Sequence, residues 1–286
     1  MTARMSVVIP AHDEEAVLGR LLAALTGHPR SAELELVVAA NGCTDGTVEV
    51  ARSFGASVTV VEVGRASKIA ALDAGDEEAS AFPRAYVDAD VLVDVPTLLA
   101  LADALAAPGG PLVASPRLEV DTAGASWPVR QHYRIWELTD YRRRGHIGSG
   151  VYALSAAGRA RFGRWPDVIA DDRFVQQLFL PDERRTLADH SFTVRSARRL
   201  GAHLRRSIRI ARGNLELPEA IQRATDAPAA ARASSLARRV AGRPALWPAF
   251  GVYAVTSTLP KVQARRLIAE RREAEWARDR TSRAIA

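Results

Sequence analysis

Asp88 and Asp90, separated only by Ala89, interrupt an apolar run that extends from Ala85-Tyr-Val87 to Val91-Leu-Val93. If a strand continues through them, its side-chain period of two sends both carboxylates to one face and Ala89 to the other. Burying two like charges without a counter-ion is costly. The pair therefore points to a hard divalent cation, and a cation there suits a substrate bearing phosphates. A second acidic pair, Asp171-Asp172, stands where a helix is expected to begin. Successive helical residues diverge by roughly 100°, so the two carboxylates cannot aim at one point. Acids there also serve the positive end of the helix.

Four further groups accompany these acids. Pro10-Ala11-His12-Asp13-Glu14-Glu15 follows directly on an apolar run, Ser6 to Ile9. Acids at a helix start account for part of it, and its position after the first strand leaves Pro10, Ala11, His12 and Glu14 where a nucleotide would lie. In Asn41-Gly-Cys-Thr-Asp-Gly46, Gly42, Asp45 and Gly46 are turn residues, and Asn41 is left to pair with the edge of a base. Lys68 is one of only two lysines, the other being Lys261. It is either a point charge placed near a phosphate or an ordinary surface residue. Gly148-Ser149-Gly150 lets a backbone approach a ligand closely, or forms a bare turn.

The elements that must carry these groups alternate at the rhythm of a doubly wound α/β sheet. Strands are expected at Ser6–Ile9, Leu34–Ala39, Ser57–Val63, Ala85–Val87, Leu112–Ala114 and Val151–Leu154. Helices are expected between them. The first, capped by Asp13, carries Leu18, Leu21, Leu22 and Leu25 at helical spacing. The second runs from Asp45 to Phe54. The third, around Lys68, is closed by Gly75, and the fourth begins at Pro96. Ser155 is expected to cap a helix to Phe162, and Arg173–Phe179 to form another. Trp127 to Tyr141, rich in aromatics, is expected as a helix over the substrate cleft, and the chain from Leu200 onward as mostly helix. In open α/β sheets ligands bind at the carboxyl ends of the strands, which is where the polar groups fall.

With 286 residues, 48% hydrophobic and 25% charged, the chain has the composition of a soluble globular protein able to bury a sizeable core. The net charge is +6, its basic excess lies after about Arg130, and nearly all of it is arginine. That distribution fits anionic lipid or a phosphate-bearing substrate, and we expect no nucleic-acid partner. The lone Cys43 excludes an internal disulfide framework. With the short opening strand in place of a signal-type segment, it gives a cytoplasmic expectation. Pro244 to Pro260 carries no charged residue. It falls short of a spanning helix, so we expect a buried helix pair, with an interfacial segment at the inner membrane face as the alternative.

Taken in order, Pro10-Ala-His-Asp-Glu-Glu, Ala40-Asn-Gly-Cys-Thr-Asp-Gly, Lys68 with Ala70-Ala-Leu-Asp-Ala-Gly75, and Tyr86-Val-Asp-Ala-Asp90 resemble the motifs of family 2 glycosyltransferases of GT-A fold. The resemblance covers roughly the first two-thirds of the chain, through Asp172. It implies a largely parallel, doubly wound sheet with helices on both faces and a helical C-terminal extension. It implies inverting transfer of a sugar from a nucleotide-diphosphate sugar, with Mg²⁺ or Mn²⁺ held by Asp90 and Asp88. Pro10, Ala11, His12, Glu14, Asn41, Lys68, Asp88, Ala89 and Asp90 would bind the donor. Gly148, Ser149 and Gly150 would face the acceptor, and Asp172, with Asp171 beside it, would supply the base. Ala40 stands where such families often carry an acid, and His12 where an aromatic is usual. The acceptor would be a glycan, a lipid-linked carrier or a small molecule. The expected division is 1–198 for the catalytic domain, with a donor half 1–115 and an acceptor half 116–198, and 199–286 for a helical, membrane-peripheral extension. Two other activities are considered: a sugar-phosphate nucleotidyltransferase, which lacks its glycine-rich phosphate loop here, and a non-catalytic basic protein binding membrane or nucleic acid.

Overall fold

The computed structural model describes residues 3–143, 146–168, 170–216 and 229–270. Its backbone clusters into two compact units. One holds Met1–Glu119, Ile147–Asp167 and Asp171–Val194; the other holds Val120–His146, Val168–Ala170 and Arg195–Ala286.

The first unit begins with β1 (Met5–Ala11), α1 (Glu15–Thr26), β2 (Leu34–Asn41), α2 (Thr47–Arg52), β3 (Thr59–Val63) and α3 (Lys68–Glu78). It continues through β4 (Arg84–Val87), β5 (Val91–Leu92), α4 (Val95–Ala106) and β6 (Val113–Asp121), the last running two residues into the other unit. Next along the chain come α5 (Trp127–Trp136) and α6 (Asp140–Arg143) of the second unit. The first unit then resumes with β7 (Val151–Leu154), α7 (Ala156–Arg159), α8 (Asp171–Leu178) and β8 (Arg184–Arg195). The eight strands form one sheet in the order β3-β2-β1-β4-β7-β6-β8-β5. β1, β2, β3 and β4 pair in parallel, whereas β7 runs antiparallel to β4 and to β6.

Every residue of β1 is buried, and so is all of β2 but Glu35. Such continuous apolar strands belong between two layers of helix. Because β2 lies on one side of β1 and β4 on the other, the winding reverses between β1 and β4, and a crevice opens at their carboxyl ends. α3 crosses close to β1: a Cβ added to Gly75 would press on Val8 Cγ1. Gly75 is thus the contact that lets helix and strand approach, and the helix runs on past it to Glu78. The expected helix end at Gly75 is corrected, because close packing and a C-cap select the same residue type. β8, twelve residues long, had no counterpart in the sequence reading. Its buried positions are sparse (Phe192 and Val194), so it presents no continuous apolar run.

The second unit adds α9 (Leu200–Leu215), α10 (Ala229–Ala241) and α11 (Trp247–Ala269). Its core gathers Ile135, Leu236, Val240, Leu246 and Ala249, with Leu138, Phe250 and Tyr253 packed against them. The rings of α5 meet those of α9 and α11: His132 lies 4.3 Å from His203 and 5.1 Å from Tyr253 between centroids. Among the described residues no helix is long and apolar enough to cross a membrane.

Candidate active site

The loop after β1 and the loop after β2 are bound to each other. Asn41 Nδ2 donates to the Ala11 carbonyl at 2.7 Å, and His12 Nδ1 to the Asn41 carbonyl at 2.6 Å. Asp13 accepts the Thr44 amide at 2.6 Å and its hydroxyl at 3.1 Å, and the Glu14 amide donates to Thr47 Oγ1 at 2.6 Å. Asp13 therefore ties the two loops together and does not cap α1, where Glu14 is the N-cap residue. It sits at φ 48, a left-handed conformation that Asp tolerates better than most residues. Pro10 and Ala11 are buried inside the strand and can meet a ligand only through backbone. Asn41 is also buried, and its Oδ1 has no hydrogen-bond partner among the described residues. His12, Asp13 and Cys43 bring ligand atoms within 4.8 Å of one another. Since His12 Nδ1 and both Asp13 oxygens are already spent between the loops, we read that group as a structural tie.

β4 ends at Val87, and Asp88-Ala89-Asp90 forms a turn closed by the Val91 amide on the Asp88 carbonyl at 3.3 Å. A strand continuing through these residues was expected; the turn replaces it because β4 is only four residues long. Ala89 is nonetheless buried while Asp88 and Asp90 are half-exposed. The β1–β4 register pairs Val8 with Tyr86, two residues before Asp88. Asp90 has no hydrogen bond or ion pair among the described residues.

Gly148, Ser149 and Gly150 hold φ values of 102, 63 and 116, three successive residues in a region that favours glycine. The contacts explain the two glycines. A Cβ on Gly148 would overlap Asp172 Cβ, and one on Gly150 would lie 2.8 Å from Val91 Cγ1 and 3.5 Å from Asp88 Oδ2. The Gly150 carbonyl accepts the Asp88 amide at 2.8 Å, and the Ser149 amide donates to Asp172 Oδ2 at 3.0 Å. Because β7 is antiparallel to β4, the loop that opens β7 necessarily lies beside the turn that closes β4.

Lys68, the first residue of α3, completes the group. Its Nζ lies 2.8 Å from Asp88 Oδ1 and 2.8 Å from Asp171 Oδ1. Burial alone would lower its pKa, but the two carboxylates outweigh that and hold it above the usual lysine value. Asp171 is almost fully buried and also accepts the Tyr152 hydroxyl at 2.9 Å. Asp172 is half-exposed. Burial and then Asp171 raise its carboxyl pKa, against the opposing pull of Lys68 and the Ser149 amide. Tyr152 was not singled out from sequence; its place on the strand directly after the glycine loop was the available signal.

A hard-oxygen carboxylate pair, a lysine, a backbone loop kept bare by glycine and a half-exposed acid of raised pKa thus converge at the switch point of an α/β sheet. Solved structures share this fold. PcManGT, a mannosyltransferase from Pyrobaculum calidifontis in complex with GDP-Man and Mn²⁺, matches with a TM-score of 0.60 at 22% identity, over 94% of this chain and 79% of that one. S. aureus TarS in complex with UDP-GlcNAc matches at 0.50 and 15% identity, over 92% and 91%. No curated protein matches the chain. The family model for glycosyl transferase family 2 matches residues 6–162, more than half the sequence. This chain belongs to glycosyl transferase family 2 and has the GT-A fold.

Proposed function

We propose that this glycosyltransferase inverts configuration as it moves a sugar from a nucleotide-diphosphate sugar to an acceptor hydroxyl, with Asp172 as the base. One observation carries the reading: the Asp88–Asp90 turn, Lys68, the Gly148–Gly150 loop and the Asp171-Asp172 pair are joined by direct bonds at the carboxyl edge of β4. Donor-side groups come from residues 1–115 and acceptor-side groups from 116–198, with 199–286 as an extension.

Inversion requires a single base to take the acceptor proton as its oxygen attacks the anomeric carbon. The bond from that carbon to the diphosphate oxygen breaks, and the electron pair leaves with the diphosphate. Of the two acids, Asp172 is the less buried, and its raised pKa brings it closer to a useful proton acceptor. Asp171 is committed to Tyr152 and Lys68, and so fixes the helix start from which Asp172 projects. Lys68 is near enough to Asp88 to share the charge of a bound diphosphate.

The donor set fits Mg²⁺ or Mn²⁺: Asp90 without a protein partner and Asp88 beside it offer hard oxygens, the chemistry such ions prefer. Held by Asp90 and Asp88, the ion would offset the charge developing on the leaving diphosphate. The Mn²⁺ and GDP-Man of the PcManGT structure and the UDP-GlcNAc of the TarS structure agree with this. We assign the nucleotide's base to the two tied loops after β1 and β2, beside Asn41 and His12. For the acceptor we propose a hydroxyl on a lipid-linked carrier or envelope glycan precursor, met at a membrane surface by a peripherally bound enzyme.

Calorimetric titration with a panel of nucleoside diphosphates, with and without Mn²⁺, tests the donor reading. Metal-dependent binding of one diphosphate is expected. Preference for a triphosphate would move the chain to nucleotidyl transfer, and indifference to every nucleotide would remove the catalytic reading.

A further inference from the structure

α11 is uncharged on all sides and largely apolar over its first four turns, since Pro244 to Pro260 has no charged residue. A helix of that kind is ordinarily buried all round. Here only one side is: Ala249, Thr256, Pro260 and Ala264 face inward. Trp247, Val255, Leu259 and Val262 remain 58%, 61%, 39% and 45% exposed. With Gly251, Ala254 and Thr258, also exposed, they fall on one face at helical spacing. The one hydroxyl on that face, Thr258, donates to the Ala254 carbonyl at 2.7 Å, so its polar group is spent on backbone. From Trp247 to Val262 the strip is about 22 Å long.

The charged residues of α10 and α11 themselves are all of one sign. Between Ala229 and Ala269 the chain carries seven arginines or lysines and no acid. Arg238 and Arg243 lie before the apolar face, and Lys261, Arg265 and Arg266 at its far end, all exposed.

We infer that this face of α11 is a docking surface for an anionic lipid bilayer, lying in the plane of the interface with Trp247, Val255, Leu259 and Val262 inserted and the arginines on the headgroups. Apolar insertion and cationic attraction are the two components of interfacial binding, and both are present on one element. Tryptophan at one end suits the headgroup boundary. A second copy of the chain is disfavoured as the occupant. Packing two such faces together would set Arg243, Lys261 and Arg265 of one copy against the same charges of the other. The inference names the surface that the proposed membrane-borne acceptor would require and rests on that reading for its purpose, while its test is separate from donor binding.

The test is co-sedimentation of the full chain with vesicles of phosphatidylcholine alone and of an equal mixture with phosphatidylglycerol. We expect binding to the mixed vesicles well above that to the neutral ones. Val255→Asp combined with Leu259→Asp, both exposed positions, should weaken it by about ten-fold or more. Arg243→Glu combined with Arg265→Glu should abolish the preference for the anionic mixture. Metal-dependent nucleotide binding, measured on the same variants, should stay unchanged and reports both their folding and the donor reading. The inference is overturned if the parent chain ignores anionic vesicles or if neither double variant weakens binding. It is equally overturned if light scattering finds a dimer that Val255→Asp dissolves.

Discussion

Asp171 and Asp172 are adjacent in the chain and opposite in surroundings. The first is buried against a tyrosine hydroxyl and a lysine ammonium. The second is half-exposed, held by the Ser149 and Arg173 amides at 3.0 and 2.7 Å. In the mechanism proposed above, that difference suits the first to positioning and the second to proton transfer. Asp172→Asn keeps the shape but has one acceptor oxygen where the carboxylate has two, so it can hold only one of the two amides, and it removes the base. Turnover should fall on the order of 10²–10⁴-fold while metal-dependent nucleotide binding is retained. Asp90→Asn should do the reverse, removing the metal dependence of donor binding, because a neutral amide cannot offset the charge of the cation. Paired calorimetry and transfer assays separate the two. Full turnover by either variant would take that residue out of its role.

At the scale of elements, the site depends on how closely α3 lies on β1, because Lys68 begins α3 and Pro10 and Ala11 close β1. Gly75 permits that approach, and Val8, which a Cβ would strike, is fully buried and has nowhere to go. Gly75→Ala gains helix propensity of about 1 kcal/mol, but overpacking costs about 1–3 kcal/mol. A net loss of about 1 kcal/mol is expected, read as a drop of about 2–4 °C in the thermal midpoint. A rise in the midpoint would show that α3 can move off the strand freely. The same element shows how far sequence carries. The order of strands and helices in the first unit was legible from apolar runs and their spacing, and β7 was located residue for residue. Gly75 was legible as important but not for its reason, since helix termination and close packing both call for glycine. β8 was missed because half-buried strands with scattered apolar positions resemble loops.

For the molecule as a whole, the helical unit contains a cluster that limits its acid stability. His132, on α5, is 2.7 Å from Thr256 Oγ1 on α11, and since that hydroxyl donates to the Val252 carbonyl at 2.8 Å, the imidazole N–H is the donor. His203 of α9 and Tyr253 of α11 press on the same ring. Burial, and then the neighbouring His203, push the His132 pKa down to about 3. Below the ordinary histidine pKa of about 6.5 the unfolded chain takes up a proton that the folded one refuses. Stability is therefore lost as pH falls from about 6.5 towards about 3. At about pH 5 the loss from this residue is about 2 kcal/mol. His146, pushed to about 4 by burial and by Arg142, adds a loss of the same sign. Thermal melts at neutral and mildly acid pH should show this slope, and His132→Gln should flatten it. An unchanged slope in that variant would locate the acid sensitivity elsewhere.

What the sequence determined unaided was the family and the alternation of strand and helix, and it singled out the acids, glycines and lysine that the fold brings together. These are properties of residue type and spacing along the chain, and neighbouring residues impose them. What only the tertiary structure decided was who meets whom. Asp88 reaches Lys68 and the backbone of Gly150, while Asp13 is spent on Thr44. Tyr152 secures Asp171, and one apolar side of α11 is left uncovered. Each of these joins segments far apart in sequence, and such contacts follow from sheet order and helix packing, which no local pattern encodes.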